Sequence, residues 1–105
     1  MDQPVIVLTT VGVDADAAAL ARVLVEERLA ACVNVLPPMI SVYRWRGGVD
    51  TEGERQLVIK TTANRVAALE TRLREVHPYE IPEFLVIGVS GGLAAYLEWL
   101  GESVR

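Results

Sequence analysis

Residues 39–62, MISVYRWRGGVDTEGERQLVIKTT, hold two β-favouring runs around a glycine pair and read as a hairpin at the centre of the chain. In the first run Met39, Ser41, Tyr43 and Trp45 share one face; Gly47-Gly48-Val49-Asp50 supplies tight-turn dihedrals, and Arg55 to Thr62 forms the return strand. Upstream, Cys32 to Leu36 alternates like a strand and Pro37-Pro38 interrupts the ladder, so the first arm is one long, broken strand. Both arms are longer than one subunit of this size needs.

Outward from the hairpin, each flank offers one strand and one helix. Val5 to Thr10 is apolar and β-branched without alternation, as expected of a strand covered on both faces. Asp14 is placed to cap a helix that runs to about Leu29, with Leu20, Ala21 and Leu24 on its inner stripe. After the hairpin, Thr62 or Asn64 caps a second helix with Val66, Leu69, Leu73 and Val76 inward, and Pro78 stops it near Val76 because a residue before proline avoids helical dihedrals. His77 to Glu83 is a stiff connector with two prolines. Phe84 to Val89 is another non-alternating strand, and a last helix carries Leu93, Tyr96, Leu97 and Leu100 on one face.

The order strand, helix, strand, strand, helix, strand predicts an α+β fold, a ferredoxin-like βαββαβ sandwich with a long central hairpin and an added C-terminal helix. At 105 residues, 51% of them hydrophobic, the chain supports one domain spanning residues 1–105. A compact chain of this length has a radius of gyration of about 13 Å. Two long helices cover one face of such a sheet, yet the first and last strands in sequence are apolar on both sides. The second face is therefore expected to be buried between subunits.

A net charge of −4 without a dense basic run argues against nucleic acid as a partner. No apolar run approaches membrane-spanning length and the first residues lack a basic n-region, so no membrane association and a cytoplasmic location are expected. One cysteine and one histidine are too few for a Cys/His zinc site of four ligands within one subunit.

Four segments in order resemble the CutA divalent-cation tolerance family across essentially the whole chain. They are Glu27 to Pro37 followed by Ser41, Tyr43, Trp45 and Gly47; Leu57 to Thr61; His77-Pro78-Tyr79-Glu80 with Pro82-Glu83; and Tyr96-Leu97 with Trp99-Leu100. The resemblance implies a homotrimer in which each extended hairpin pairs with its neighbours, and it implies copper and other divalent cations as the associated ligands.

Among the residues themselves, Cys32 is the softest ligand and its thiolate would favour copper; the alternative is a small residue buried where the first helix meets the second strand. His77 with Glu80 is the best single-subunit cation pair, although a histidine just past a helix can instead satisfy terminal carbonyls. Glu83 reads as solvated. Tyr43, Trp45, Lys60, Tyr79 and Trp99 are expected to line a pocket between subunits that takes a small anionic ligand, or else to anchor the assembly. No nucleophile elbow, phosphate loop or metalloprotease motif is present, so enzyme activity and a required cofactor are not expected.

The sequence thus reads as a cytoplasmic homotrimer that binds divalent metal, copper foremost, and contributes to metal tolerance. A second reading, by analogy with trimeric ferredoxin-like PII signal proteins, is a sensor that binds an anionic small molecule between subunits. A third is a scaffold that docks another protein.

Overall fold

The computed structural model describes residues 2–105; Met1, the first residue of the expected 1–105 domain, lies outside the described residues. The chain runs β1 (Pro4–Gly12), α1 (Ala17–Glu26), β2 (Cys32–Val35), β3 (Met39–Trp45), β4 (Gly48–Thr62), a short 3₁₀ turn (Ala63–Arg65), α2 (Val66–Val76), β5 (Leu85–Gly88) and α3 (Ala94–Ser103). The sheet order is β2-β4-β1-β5, with β3 also paired to β4. That is the expected ferredoxin-like arrangement, because β2 and β3 take successive stretches of β4 and act as one strand broken at Leu36–Pro38.

β4 is the hub. Its inner half pairs with β1 from Pro4↔Thr62 to Gly12↔Glu54 and with β2 from Cys32↔Lys60 to Val35↔Leu57. Its outer half pairs only with β3, from Met39↔Glu54 to Trp45↔Gly48. The hairpin therefore runs past the end of β1 into open space. It stretches the molecule to 44 × 25 × 24 Å and raises the radius of gyration to 14.4 Å, above that of a compact chain.

Alternation along these strands sorts the two faces. Val5, Val7 and Val11 of β1 and Leu57 and Ile59 of β4 point to the helix layer, where Leu20 and Leu24 of α1 and Leu69 and Leu73 of α2 close the main core. Thr61, fully buried in this layer, donates its hydroxyl to the Leu29 carbonyl at 2.8 Å and ties β4 to the end of α1. Ile6 and Leu8, Gln56, Val58 and Lys60, and Leu85 and Ile87 point the other way by their registers. Of the three helices, α3 is the one that reaches that second face among the described residues, where Leu100 and Val104 cluster with Ala31.

Four local expectations are corrected. The cap of α1 is Asp16, whose carboxylate accepts from the Ala19 N–H at 3.0 Å, because Asp14 sits in the preceding turn. The helix ends at Glu26 rather than Leu29: Arg28 takes a left-handed conformation (φ 59°), and the turn it makes sends Leu29 and Ala30 into the core. The hairpin turn is Arg46-Gly47, both at positive φ, so β4 begins at Gly48 and is continuous through residues 51–54. Neither proposed cap of the second helix makes a capping hydrogen bond to its backbone: the Thr62 hydroxyl turns to the Asn64 side chain, and a 3₁₀ turn leads into α2.

Replacing Leu24 by Ala, a fully buried side chain, is expected to cost about 2–5 kcal/mol. Thr61→Val, which leaves the Leu29 carbonyl unpaired, should cost about 1–3 kcal/mol. Denaturant unfolding of each variant against the parent measures both.

Candidate functional site: an acidic, aromatic cleft beside the hairpin

A cleft of about 500 Å³ opens where the hairpin leaves the body of the sheet. β3 gives it Tyr43 and Trp45, β4 gives Glu52 and Glu54, and the loop between α2 and β5 closes it with residues 79–83. Register explains the grouping: Ser41↔Glu52 and Met39↔Glu54 are direct partners, so the even positions of β4 share a face with the odd positions of β3.

The loop is held by His77, which is buried. Its Nε2 lies 2.7 Å from the Thr10 carbonyl oxygen and its Nδ1 accepts from the Tyr79 N–H at 3.0 Å. A carbonyl can only accept and an amide N–H can only donate, so the ring is the Nε2–H tautomer with both nitrogens engaged. Thus His77 pins the loop to β1 and, in this geometry, offers no free lone pair to a metal. Its ring packs edge-on against Tyr79, with centroids 4.9 Å apart.

Tyr79 in turn donates its hydroxyl to Glu54 Oε2 at 2.8 Å. Glu83, expected to be solvated, instead accepts from Gln56 Nε2 at 2.9 Å, and the same amide donates to the Thr9 carbonyl. Partial burial, together with the hydrogen bond to Glu54 and its charge, holds the Tyr79 phenol well above its usual range. Tyr43 is also raised, first by desolvation and then by the negative charges of Glu52 and Asp50.

The residues grouped from sequence divide between two places. Tyr43, Trp45, Tyr79 and Glu80 line the cleft. Lys60 lies six residues along β4 from Glu54, about 20 Å away at the usual strand rise. There its ammonium sits 5.8 Å over the Tyr96 ring and 3.4 Å from the Tyr96 hydroxyl, while Tyr96 packs at 5.4 Å on Trp99. Lys60 and Trp99 therefore belong to the α3 side of the sheet, and the expected five-residue anion pocket is not assembled in the chain. Four carboxylates and no Lys or Arg line the cleft, a charge opposite to the one an anionic ligand needs.

Cys32 is neither deeply buried nor fully exposed, and its backbone pairs with Lys60, far from Glu80. The three expected metal ligands thus do not converge within one chain, and among the described residues no group of three or more His, Cys, Asp or Glu could hold a metal ion. Sequence reasoning missed Glu52 and Glu54. Carrying the return strand back to Gly48 would have placed them, by alternation, beside Tyr43.

The raised tyrosines fix a pH dependence. Unfolded tyrosine ionises near pH 10, whereas the folded phenols hold their protons to higher pH. Above pH 10 the unfolded state therefore binds fewer protons, so the stabilisation present below that pH is lost as pH rises toward the folded value. Tyr79→Phe should flatten the alkaline fall in melting temperature, and near-ultraviolet difference absorbance should show one late phenol ionisation fewer.

Residues 5–103 match the family described as CutA1 divalent ion tolerance protein. The chain is 43% identical over 98 residues to the divalent-cation tolerance protein CutA of Thermus thermophilus, covering 93% of this chain and 95% of that one. It is 46% identical over 101 residues to the same-named protein of Pectobacterium atrosepticum, covering 96% and 92%. The crystal structure of CutA from Xylella fastidiosa is similar at a TM-score of 0.94 and 44% identity, covering 98% of this chain and 99% of that one. With nearly its whole length matched in sequence and in fold, the chain belongs to the CutA1 divalent ion tolerance family.

Proposed function

We propose that the chain acts in divalent-cation tolerance as a cytoplasmic homotrimer that binds divalent metal, copper foremost, with modest affinity. The observation that carries the reading is the apolar surface one chain leaves open to water. On β5, Leu85, Val86 and Ile87 are about half exposed, and on the hairpin Ile40, Val42 and Val49 are two-thirds exposed or more. Full burial of each such side chain is worth about 1.5–3 kcal/mol, a strong drive toward self-association. β5 pairs with β1 alone and leaves an edge, and edges of this kind recruit further strands.

Metal enters this reading through the family's cation tolerance and through two ligand types at different places: the Cys32 thiol on the open face and Glu80 in the cleft. A site of useful strength then takes donors from a neighbouring copy or from water. The proposed role is that of a binding protein rather than an enzyme; His77, with both ring nitrogens engaged, is not free to act as a general base.

Sedimentation equilibrium at micromolar concentration should return three times the 11.5 kDa chain mass, and Ile87→Glu, a charge on the open face, should lower it toward one chain. A single-chain mass for the parent protein sinks the assembly. Copper titrations should show weakened binding in Cys32→Ser or Glu80→Gln; unchanged affinity in both, and in His77→Ala, removes the copper assignment.

A further inference from the structure

His77 is the one histidine in the sequence, and in the fold both of its ring nitrogens are already matched. The ring is buried, at 7% exposure. Its Nε2–H donates to the Thr10 carbonyl at 2.7 Å, and its Nδ1 lone pair accepts from the Tyr79 N–H at 3.0 Å. A proton added at Nδ1 would set two N–H groups against each other at that distance, so an imidazolium cannot keep the bond to Tyr79. The bond given up is the one that fixes the start of the loop 77–83.

The groups packed around the ring decide where an imidazolium turns. β1 presents the Thr10 carbonyl, and Gly12 beyond it is bordered by the Asp14 carboxylate and the Tyr79 hydroxyl. β4 brings Glu54, one hydrogen bond away through Tyr79, with Glu52 next on the same face. The loop itself carries Glu80 and Glu83, the latter held by Gln56. At the start of α1, Asp16 lines a groove with Pro78 and accepts from the Ala19 N–H. On α2, Arg72 is paired with Glu27 and Glu75, and Arg74 is exposed in the last turn. His77 also caps α2, its N–H donating to the Leu73 carbonyl. Carboxylates and a helix C-terminus both attract a positive ring, so the protonated form has favourable places to turn once it leaves Tyr79.

We propose that His77 is a proton-operated latch: neutral, it holds the loop 77–83 against β1; protonated, it releases the Tyr79 N–H and lets that loop leave the cleft. The released loop takes the second proton freely, whereas the held loop takes it only by losing a hydrogen bond. Acid therefore favours the released form, by up to about tenfold per pH unit through the range where imidazole titrates. Tyr79 moves with the loop, so Glu54 loses the phenol that donates to it. The latch lies within one chain and needs neither metal nor a neighbouring copy.

Nuclear magnetic resonance of the isotope-labelled full chain in its native assembly, with chelator present, tests the latch. A single imidazole gives a single ring signal to follow, from about pH 8 to about pH 5, across the range where histidine ordinarily titrates. The ring signal and the amides of Tyr79 and Glu80 should move with one shared midpoint, while the amides of Leu57 and Ile59 stay still. Over the same range the exchange protection of the Tyr79 amide should fall by about tenfold or more. In His77→Gln, which has no proton to gain, the Tyr79 amide should show no such midpoint. The parent chain alone can overturn the proposal, even if that variant folds poorly. Either a ring that titrates while the Tyr79 amide keeps its protection, or a ring that stays neutral across the range, does so. A Tyr79 transition that persists in His77→Gln, or one whose midpoint follows the carboxylates instead of the ring, does so as well.

Discussion

The long ladder of β4 governs this molecule. One strand of fifteen residues serves β1, β2 and β3, and only its inner half is backed by helices. Because side chains alternate along it, a single register choice sends Leu57, Ile59 and Thr61 into the core and Gln56, Val58 and Lys60 to the open face. A slip of one residue would exchange the two sets. The strand is thus fixed by the core at one end, and the position of everything on the projecting hairpin follows from that anchorage.

The same ladder produces the cleft. Beyond Gly12↔Glu54 there is no β1 to cover β4, and the space is taken by the loop that His77 fastens to the Thr10 carbonyl. Tyr79 reaches from this loop to Glu54, closing a chain of hydrogen bonds from β1 through the imidazole to β4. These hydrogen bonds tie the loop to both strands and order it. They explain why a histidine beside glutamates, a pattern that suggests a cation site, here works as a structural link.

Much of the fold was legible because it rests on local signals that tertiary structure does not override. The two-proline break after Leu36, the apolar stripe of Leu20, Leu24, Leu69 and Leu73, and the proline stop after His77 all have short-range causes. The turn was not legible in the same way: Gly48 looked like a turn residue, while Arg46 carries the positive φ that only the strand register imposes. Starting the return strand at Arg55 rather than Gly48 hid Glu52 and Glu54. Lys60 and Tyr43 share a sheet face yet stand apart along the strands, so one chain alone does not bring them together. Lys60 meets Tyr96 because α3 crosses the open face at that end.

The central claim is that the surface made by β5 and the outer hairpin is covered in the working protein. Native-state hydrogen exchange measures this directly, through the amides of Leu85–Gly88 and Met39–Trp45. Covered strands predict slow exchange at amides pointing away from β1 and β4, with protection that falls on dilution toward single chains. Fast exchange at these amides under conditions where Leu57 and Ile59 stay protected would contradict the account, because it would mean that both edges stand open to water.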